Sequence, residues 1–138
     1  MSKASDDFLV NIDDNIQNIL DVARVKNSEV GITGILIYRN GLFLQMLEGE
    51  EEAVHELYGK IASDDRHCEL KTLFKQEASE RLFSFWFMGF ARLNDNHLKD
   101  VEGILPWDDL AEFMNQGQAI PNQKILDFLK TFRFKEAA

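Results

Sequence analysis

The stretch Gly31-Ile32-Thr33-Gly34-Ile35-Leu36-Ile37-Tyr38-Arg39-Asn40-Gly41-Leu42-Phe43-Leu44-Gln45-Met46-Leu47 decides the fold. Ile32 to Tyr38 is a β-branched apolar run, and Asn40-Gly41 is the strongest short-range signal of a tight hairpin turn. The return strand, Leu42 to Leu47, puts Phe43, Gln45 and Leu47 on one face and Leu42, Leu44 and Met46 on the other, so both faces read as buried. Gln45 is then a primary amide among apolar neighbours. Left unpaired there it would cost a few kcal/mol, so a partner for its carbonyl and NH2 is required.

Outward from the hairpin the period changes to that of helices. Upstream, Ile12, Ile16, Ile19, Leu20 and Ala23 recur at helical spacing, with Asn11 or Asp13 available as N-cap, which predicts a helix over roughly 13 to 26. Downstream, the acidic start Glu50-Glu51-Glu52 leads into Val54, Leu57, Tyr58 and Ile61 at i, i+3, i+4 and i+7, a second helix whose first turn suits the helix dipole. Leu70 to Phe74 reads as a third strand and Phe83 to Leu93 as a fourth. Trp107, Leu110, Phe113 and Met114 return to a helical pattern, and Pro121 opens a last helix with the stripe Ile125, Leu126, Phe128, Leu129 and Phe132. The order is a ferredoxin-like β-α-β-β-α-β pattern without its first strand: an α+β sheet with two helices on one face plus C-terminal helices.

With 138 residues the chain has the size of one domain. Fifteen basic against 24 acidic residues, a net charge of −9, carry the wrong sign for a protein that neutralises phosphates, which excludes nucleic acid as the main partner. No apolar run approaches the ~20 residues of a membrane helix. The N-terminus lacks a signal-peptide layout and one cysteine, Cys68, makes no internal disulfide, so a cytoplasmic protein is expected. Glu50 to Glu52 are adjacent on a helix and do not converge on a metal. No nucleophile is placed with its base, so no enzyme is expected.

Four blocks, taken together, resemble a BLUF domain, the flavin-binding blue-light sensor. They are Val25 to Tyr38, Gly41 to Gly49, Asp65-Arg66-His67, and Phe85-Trp86-Phe87-Met88-Gly89-Phe90, in the family's order and spacing over roughly residues 13 to 92. The resemblance implies a flavin, FAD or FMN, between the two helices on one face of the sheet. Carried over to this chain, Ile19 and Ile61 sandwich the ring, Asn27 bonds the pyrimidine edge, and Gln45 sits beside N5 and O4. Lys26 reaches a flavin carbonyl or points to solvent, and Arg66 and His67 lie near the ring edge or the phosphate-bearing tail. Light moves an electron and a proton from a tyrosine to the flavin through the glutamine, and the rearrangement passes to Trp86 and Met88. The division implied is a flavin-binding domain over 1–93 and a C-terminal helical extension over 94–138 packed on it, as in short stand-alone members. A downstream signalling protein and a homo-oligomer complete the expectation.

One departure stands out. The family's tyrosine lies on the first strand in a segment reading Tyr-any-Ser, and aligning its serine with Ser2 puts the tyrosine immediately before Met1, which suggests truncation or a start codon assigned too far downstream. Tyr38 and Tyr58 match no photochemical position. The lost strand belongs in the sheet interior, where each unsatisfied backbone group costs about 1 to 3 kcal/mol, and Phe8 to Ile12 is a candidate substitute strand. Without the family, Ile19, Ile61, Trp86 and Met88 are ordinary core residues, His67 is helix C-terminal charge compensation, and Cys68 is an inert thiol. Two function classes therefore compete: a flavin photosensor acting through a partner protein, and a light-inert BLUF-like interaction module.

Overall fold

The computed structural model describes residues 1–73, 75–93, 114 and 122–130. In chain order these give β1 (Ser2–Ala4), α1 (Asp6–Val10), α2 (Ile12–Val30), β2 (Thr33–Arg39), β3 (Leu42–Glu48), α3 (Glu51–Ala62), β4 (His67–Cys68), β5 (Gly89–Arg92) and α4 (Asn122–Lys130). Five strands form one sheet in the order β4-β1-β3-β2-β5. All neighbours are antiparallel except β2 and β5, which run parallel.

The hairpin forms where its sequence says. Thr33 pairs with Glu48 and Arg39 with Leu42, while Asn40 at φ 47° and Gly41 at φ 82° supply the two left-handed residues that a type I′ turn needs. Helix α2 runs on to Val30, four residues past the expected end, because Gly31 closes it in the left-handed conformation (φ 71°) with its N–H donated to the Asn27 carbonyl. At the other end Asn11 interrupts the helix without a side-chain cap, and Asn15 Nδ2 donates to the Phe8 carbonyl at 2.9 Å across the corner between α1 and α2. Ser5 accepts from the N–H of Phe8, so residues 6–10 are helical and the substitute strand considered at Phe8 to Ile12 does not form.

The first strand, expected to be missing, is present as the three-residue piece Ser2–Ala4, and it occupies the interior of the sheet between β3 and β4. Met1 extends this pairing: its amino group donates to the Lys71 carbonyl and Lys71 N–H returns a bond to the Met1 carbonyl, both at 2.8 Å. The strand expected over Leu70 to Phe74 is instead the two-residue β4, His67–Cys68; Phe74 lies outside the described residues. Glu69, at a left-handed φ of 52°, interrupts the ladder there, and beyond it the pairing continues only as the two Met1–Lys71 bonds. The strand expected from Phe83 begins only at Gly89, for reasons that belong to the site.

Each face of the hairpin carries a core cluster, but Leu42, Gln45, Met46 and Leu47 of the return strand are only half-buried, short of the two buried faces expected. On one face Phe43, Leu36, Tyr38 and Met88 pack with Ile16 and Leu20 of α2. On the other, Ile35, Ile37 and Leu44 pack with Ile125, Phe128 and Leu129 of α4 and with Met114. The units β1-α2-β2 and β3-α3-β4 each skip one strand in opposite directions between oppositely directed strands, so right-handed crossing puts α2 and α3 on the same face. Pro121, Trp107, Leu110, Phe113 and Phe132 lie outside the described residues.

Candidate functional site

Helix α3 carries the apolar stripe Val54, Leu57, Tyr58 and Ile61, yet none of its residues is buried. A helix stripe of this kind ordinarily closes on a core. Here the stripe remains half-exposed, and Gln45 and Leu47 are also only half-buried although β3 is flanked by a strand on either side. Right-handed crossing sets α2 and α3 on one face of the sheet, and the half-buried stripe of α3 with the half-buried Gln45 and Leu47 marks a candidate apolar slot over β3 with one primary amide on its floor.

That amide is barely satisfied. Gln45 Nε2 lies 3.6 Å from Met88 Sδ, and this long contact to a weak acceptor is its one hydrogen bond among the described residues. Met88 itself is 2 % exposed and belongs to the α2-side cluster. Trp86 packs instead toward the α4-side cluster, stacked on Phe83 with ring centroids 5.2 Å apart. A straight strand over 83–93 would have put Trp86 and Met88 on one face; the structure sends them to opposite faces.

The cause is that side chains of other elements, the Gly34 main chain and a turn within the segment take the backbone groups of residues 82–88. Glu48 accepts from the N–H of Leu82 at 2.6 Å and of Phe83 at 2.9 Å. The Trp86 carbonyl accepts from Gly34 N–H at 2.9 Å, and Trp86 N–H turns back to the Phe83 carbonyl. From α2, Asn27 Nδ2 donates to the Phe87 carbonyl at 2.6 Å and Arg24 Nε to the Met88 carbonyl at 3.0 Å. Gly89 is where the ladder begins, and a Cβ there would meet the Trp86 ring at 2.6 Å.

The remaining residues singled out from the sequence are dispersed around the slot. Ile19 is half-buried against the α2-side cluster and Ile61 half-buried on α3. Asn27 is 2 % exposed, with one N–H committed to Phe87, so an amide N–H and the oxygen stay available to a ligand. Lys26 is exposed. Arg66 is drawn away into a pair with Asp64, Nε lying 2.9 and 3.0 Å from the two carboxylate oxygens; this hydrogen bond holds the Asp64 carboxyl below its ordinary range and raises the guanidinium. His67 Nε2 contacts the Ile61 carbonyl at 2.6 Å, while its Nδ1 is buried with no hydrogen-bond partner among the described residues. Arg24 and Glu48 escaped the sequence reading. Arg24 stands three residues before Asn27 on the same helical face, and Glu48 is a charge ending an apolar strand; either signal was there to be used.

The family comparison decides what the slot belongs to: residues 1–89 match BLUF, described as sensors of blue-light using FAD. The chain belongs to the BLUF family. Among solved structures, the photo-activated state of BlsA superposes on this BLUF chain with a TM-score of 0.76 at 28% identity, covering 96% of this chain and 90% of BlsA. The blue light- and temperature-regulated antirepressor BluF of Escherichia coli is 35% identical over 117 residues, 85% of this chain and 28% of that protein. Photoactivated adenylate cyclase subunit beta of Euglena longa is 39% identical over 69 residues, half of this chain. This BLUF chain spans 8% of the length of that cyclase subunit.

A flat flavin ring fits what this BLUF domain shows. The uncovered stripe of α3 and the half-buried floor of β3 supply apolar walls, and the thioether-bound amide of Gln45 and the orphaned Nδ1 of His67 are polar atoms lacking good partners. Among the described residues no three His, Cys, Asp or Glu side chains converge on a metal, and no helix is long and apolar enough to cross a membrane. If Asn27 bonds the flavin as the resemblance implies, Asn27→Ala is expected to lower FAD retained through gel filtration several-fold, since the α2 tie to Phe87 goes with it; full retention would refute the flavin-binding role.

Proposed function

We propose that this chain is a blue-light sensor that holds FAD, or FMN, between α2 and α3 and signals through Gln45 to a separate protein. The observation that carries the reading is the Gln45 amide: it sits mid-strand over an apolar floor, and a thioether 3.6 Å away is its hydrogen-bond partner. Bound flavin would supply blue absorbance and a redox-active ring. Ile19 and Ile61 would press on the two ring faces, Asn27 would bond the pyrimidine edge with the N–H and oxygen that Phe87 leaves available, and Gln45 would orient its amide toward N5 and O4. His67 and, if it leaves Asp64, Arg66 would serve the tail; Lys26 serves a carbonyl or solvent.

A change in the Gln45 hydrogen bonds weakens or strengthens its hold on Met88, and Met88 is joined through Phe87 and Trp86 to the segment that runs to the other face. The chain acts by contact and turns over no substrate, with residues 94–138 as a helical extension packed on the 1–93 domain. It works in the cytoplasm as a homo-oligomer, and its partner is a signalling protein, the role that adenylate cyclase and antirepressor functions suggest for the relatives. A light-inert module is the second reading, favoured by one observation: the hydroxyls of Tyr38 and Tyr58 are engaged with Gly41 N–H and with Thr72 Oγ1.

The test is the visible spectrum after reconstitution with FAD, dark and then blue-lit. A reversible move of the flavin band to longer wavelength is expected of the sensor. A bound but static band, or a colourless protein, overturns the sensor and selects the light-inert reading.

A further inference from the structure

Glu48 ends β3 as a carboxylate only 9 % exposed. A buried carboxylate is costly unless its oxygens are hydrogen-bonded. Here they accept the N–H of Leu82 at 2.6 Å, the N–H of Phe83 at 2.9 Å and the Thr33 hydroxyl at 3.4 Å. Arg81 adds a clasp to the same corner, its guanidinium donating to the Gly31 carbonyl at 2.6 Å and to Thr33 Oγ1 at 3.3 Å.

Residues 82–88 belong to no strand, so these bonds replace a ladder at the start of the segment. Its end is fixed by Asn27 and Arg24 on Phe87 and Met88. Strand β3 therefore touches the segment twice, on opposite faces: Gln45 at Met88 and, three residues on, Glu48 at Leu82 and Phe83. Between the two fixed points lies Phe85, 91 % exposed. Trp86 adds an intermediate tie, its carbonyl accepting from Gly34 N–H and its N–H donating to the Phe83 carbonyl, so residues 83 and 86 are linked and a shift at Phe83 is passed toward Met88.

We propose that Glu48 is a positioning residue, which sets the rest position of residues 82–88 and through it the contact of Met88 with Gln45. The inference deepens the light-sensor reading and rests on it for its meaning. Glu48 touches neither flavin nor the reacting atoms in that reading; it acts by holding the main chain.

Glu48→Gln keeps the volume and turns one acceptor into a donor facing an N–H. The measurement is the NMR signal of the Met88 methyl and of the Gln45 side-chain amide in the dark, with and without FAD, followed by the dark-recovery rate of the lit FAD-loaded protein. Expected are a shift or doubling of both signals and a recovery rate changed about tenfold, the worth of one charge-assisted hydrogen bond. FAD occupancy should not change. Thr33→Val, which removes the weakest of the three bonds together with the Arg81 contact to Thr33 Oγ1 and leaves Glu48 on both main-chain N–H groups, should move the same signals less and serves if Glu48→Gln does not fold. Shifts confined to residues near 33, 48 and 82–83, with Met88 and Gln45 unmoved, would overturn the proposal. A wild-type protein that takes up no FAD would defeat the sensor reading alone, because the flavin-free spectra still decide the role of Glu48.

Discussion

Gly34→Ala is expected to destabilise the domain by about 4 kcal/mol or more, enough to leave much of it unfolded given the 5–15 kcal/mol typical of a domain. The reason lies in the main chain. A Cβ on Gly34 would stand 1.9 Å from the Met46 carbonyl oxygen and 2.9 Å from its carbon, atoms of the neighbouring strand that no rotamer change can move. Gly34 also has a φ of 157°, pairs with Leu47, and donates to the Trp86 carbonyl, so relieving the clash disturbs the hairpin and the 82–88 segment together. Gly31→Ala is the control. Its φ of 71° is equally foreign to an L residue, but a Cβ there meets nothing within 4 Å, so only the left-handed penalty of about 1 kcal/mol applies. Thermal melts should separate the two variants by roughly 10 °C or more at a few degrees per kcal/mol. Melting points within 2 °C or so of each other would show that the strand gap opens easily.

The second large effect concerns the tyrosine. Ser2 pairs with Phe43 and Lys3 with Leu42, so the antiparallel register sets Met1 opposite Leu44 and a residue ahead of Met1 opposite Gln45. Side chains alternate: Met1 packs in the α4-side cluster and Ala4 against the α2-side cluster. The preceding residue therefore faces the side on which Gln45 meets Met88, with Cβ atoms about 5 Å apart across the strands. Adding Met-Tyr ahead of Met1 should raise the amplitude of the reversible flavin shift at least tenfold over the chain that begins at Met1, and Gln45→Leu in the extended protein should remove the shift while flavin stays bound. Tyr38 is no substitute in the expected outcome, because its hydroxyl accepts from Gly41 N–H at 3.0 Å and its ring packs on Phe43 at the hairpin end. A light response unaltered by both changes would place the electron donor and the switch elsewhere.

The hairpin, α3 and α4 were legible because their signals are local: Asn40-Gly41 needs no distant partner to turn, and the i, i+3, i+4 stripes carry their own period. The two misread strands, Leu70 to Phe74 and Phe83 to Met88, concern residues whose backbone partners are far away in sequence. Leu70 to Phe74 has strand-forming residues, but the left-handed Glu69 breaks the ladder ahead of it, and the bonds that Lys71 makes go to Met1, seventy residues away. Phe83 to Met88 has strand composition, yet Glu48, Gly34, Asn27 and Arg24 claim its main-chain groups first. Gln45 announced itself as a polar group out of place. Asn27 did not, since an asparagine near a helix end is ordinarily a solvent-facing residue, and only the family pattern singled it out.

Helix α3 has a consequence of its own. An element with no buried residue contributes little to cooperative unfolding, so in the flavin-free protein it belongs to the low-stability end of the molecule, where backbone amides exchange with solvent by local opening. A ring filling the slot would act as the missing layer of core, and the ligand's chemical potential would then enter the folding equilibrium directly, by about 2.7 kcal/mol at a hundredfold excess over Kd. For such a domain the cellular supply of flavin sets how much of the protein is fully folded, before any photon arrives.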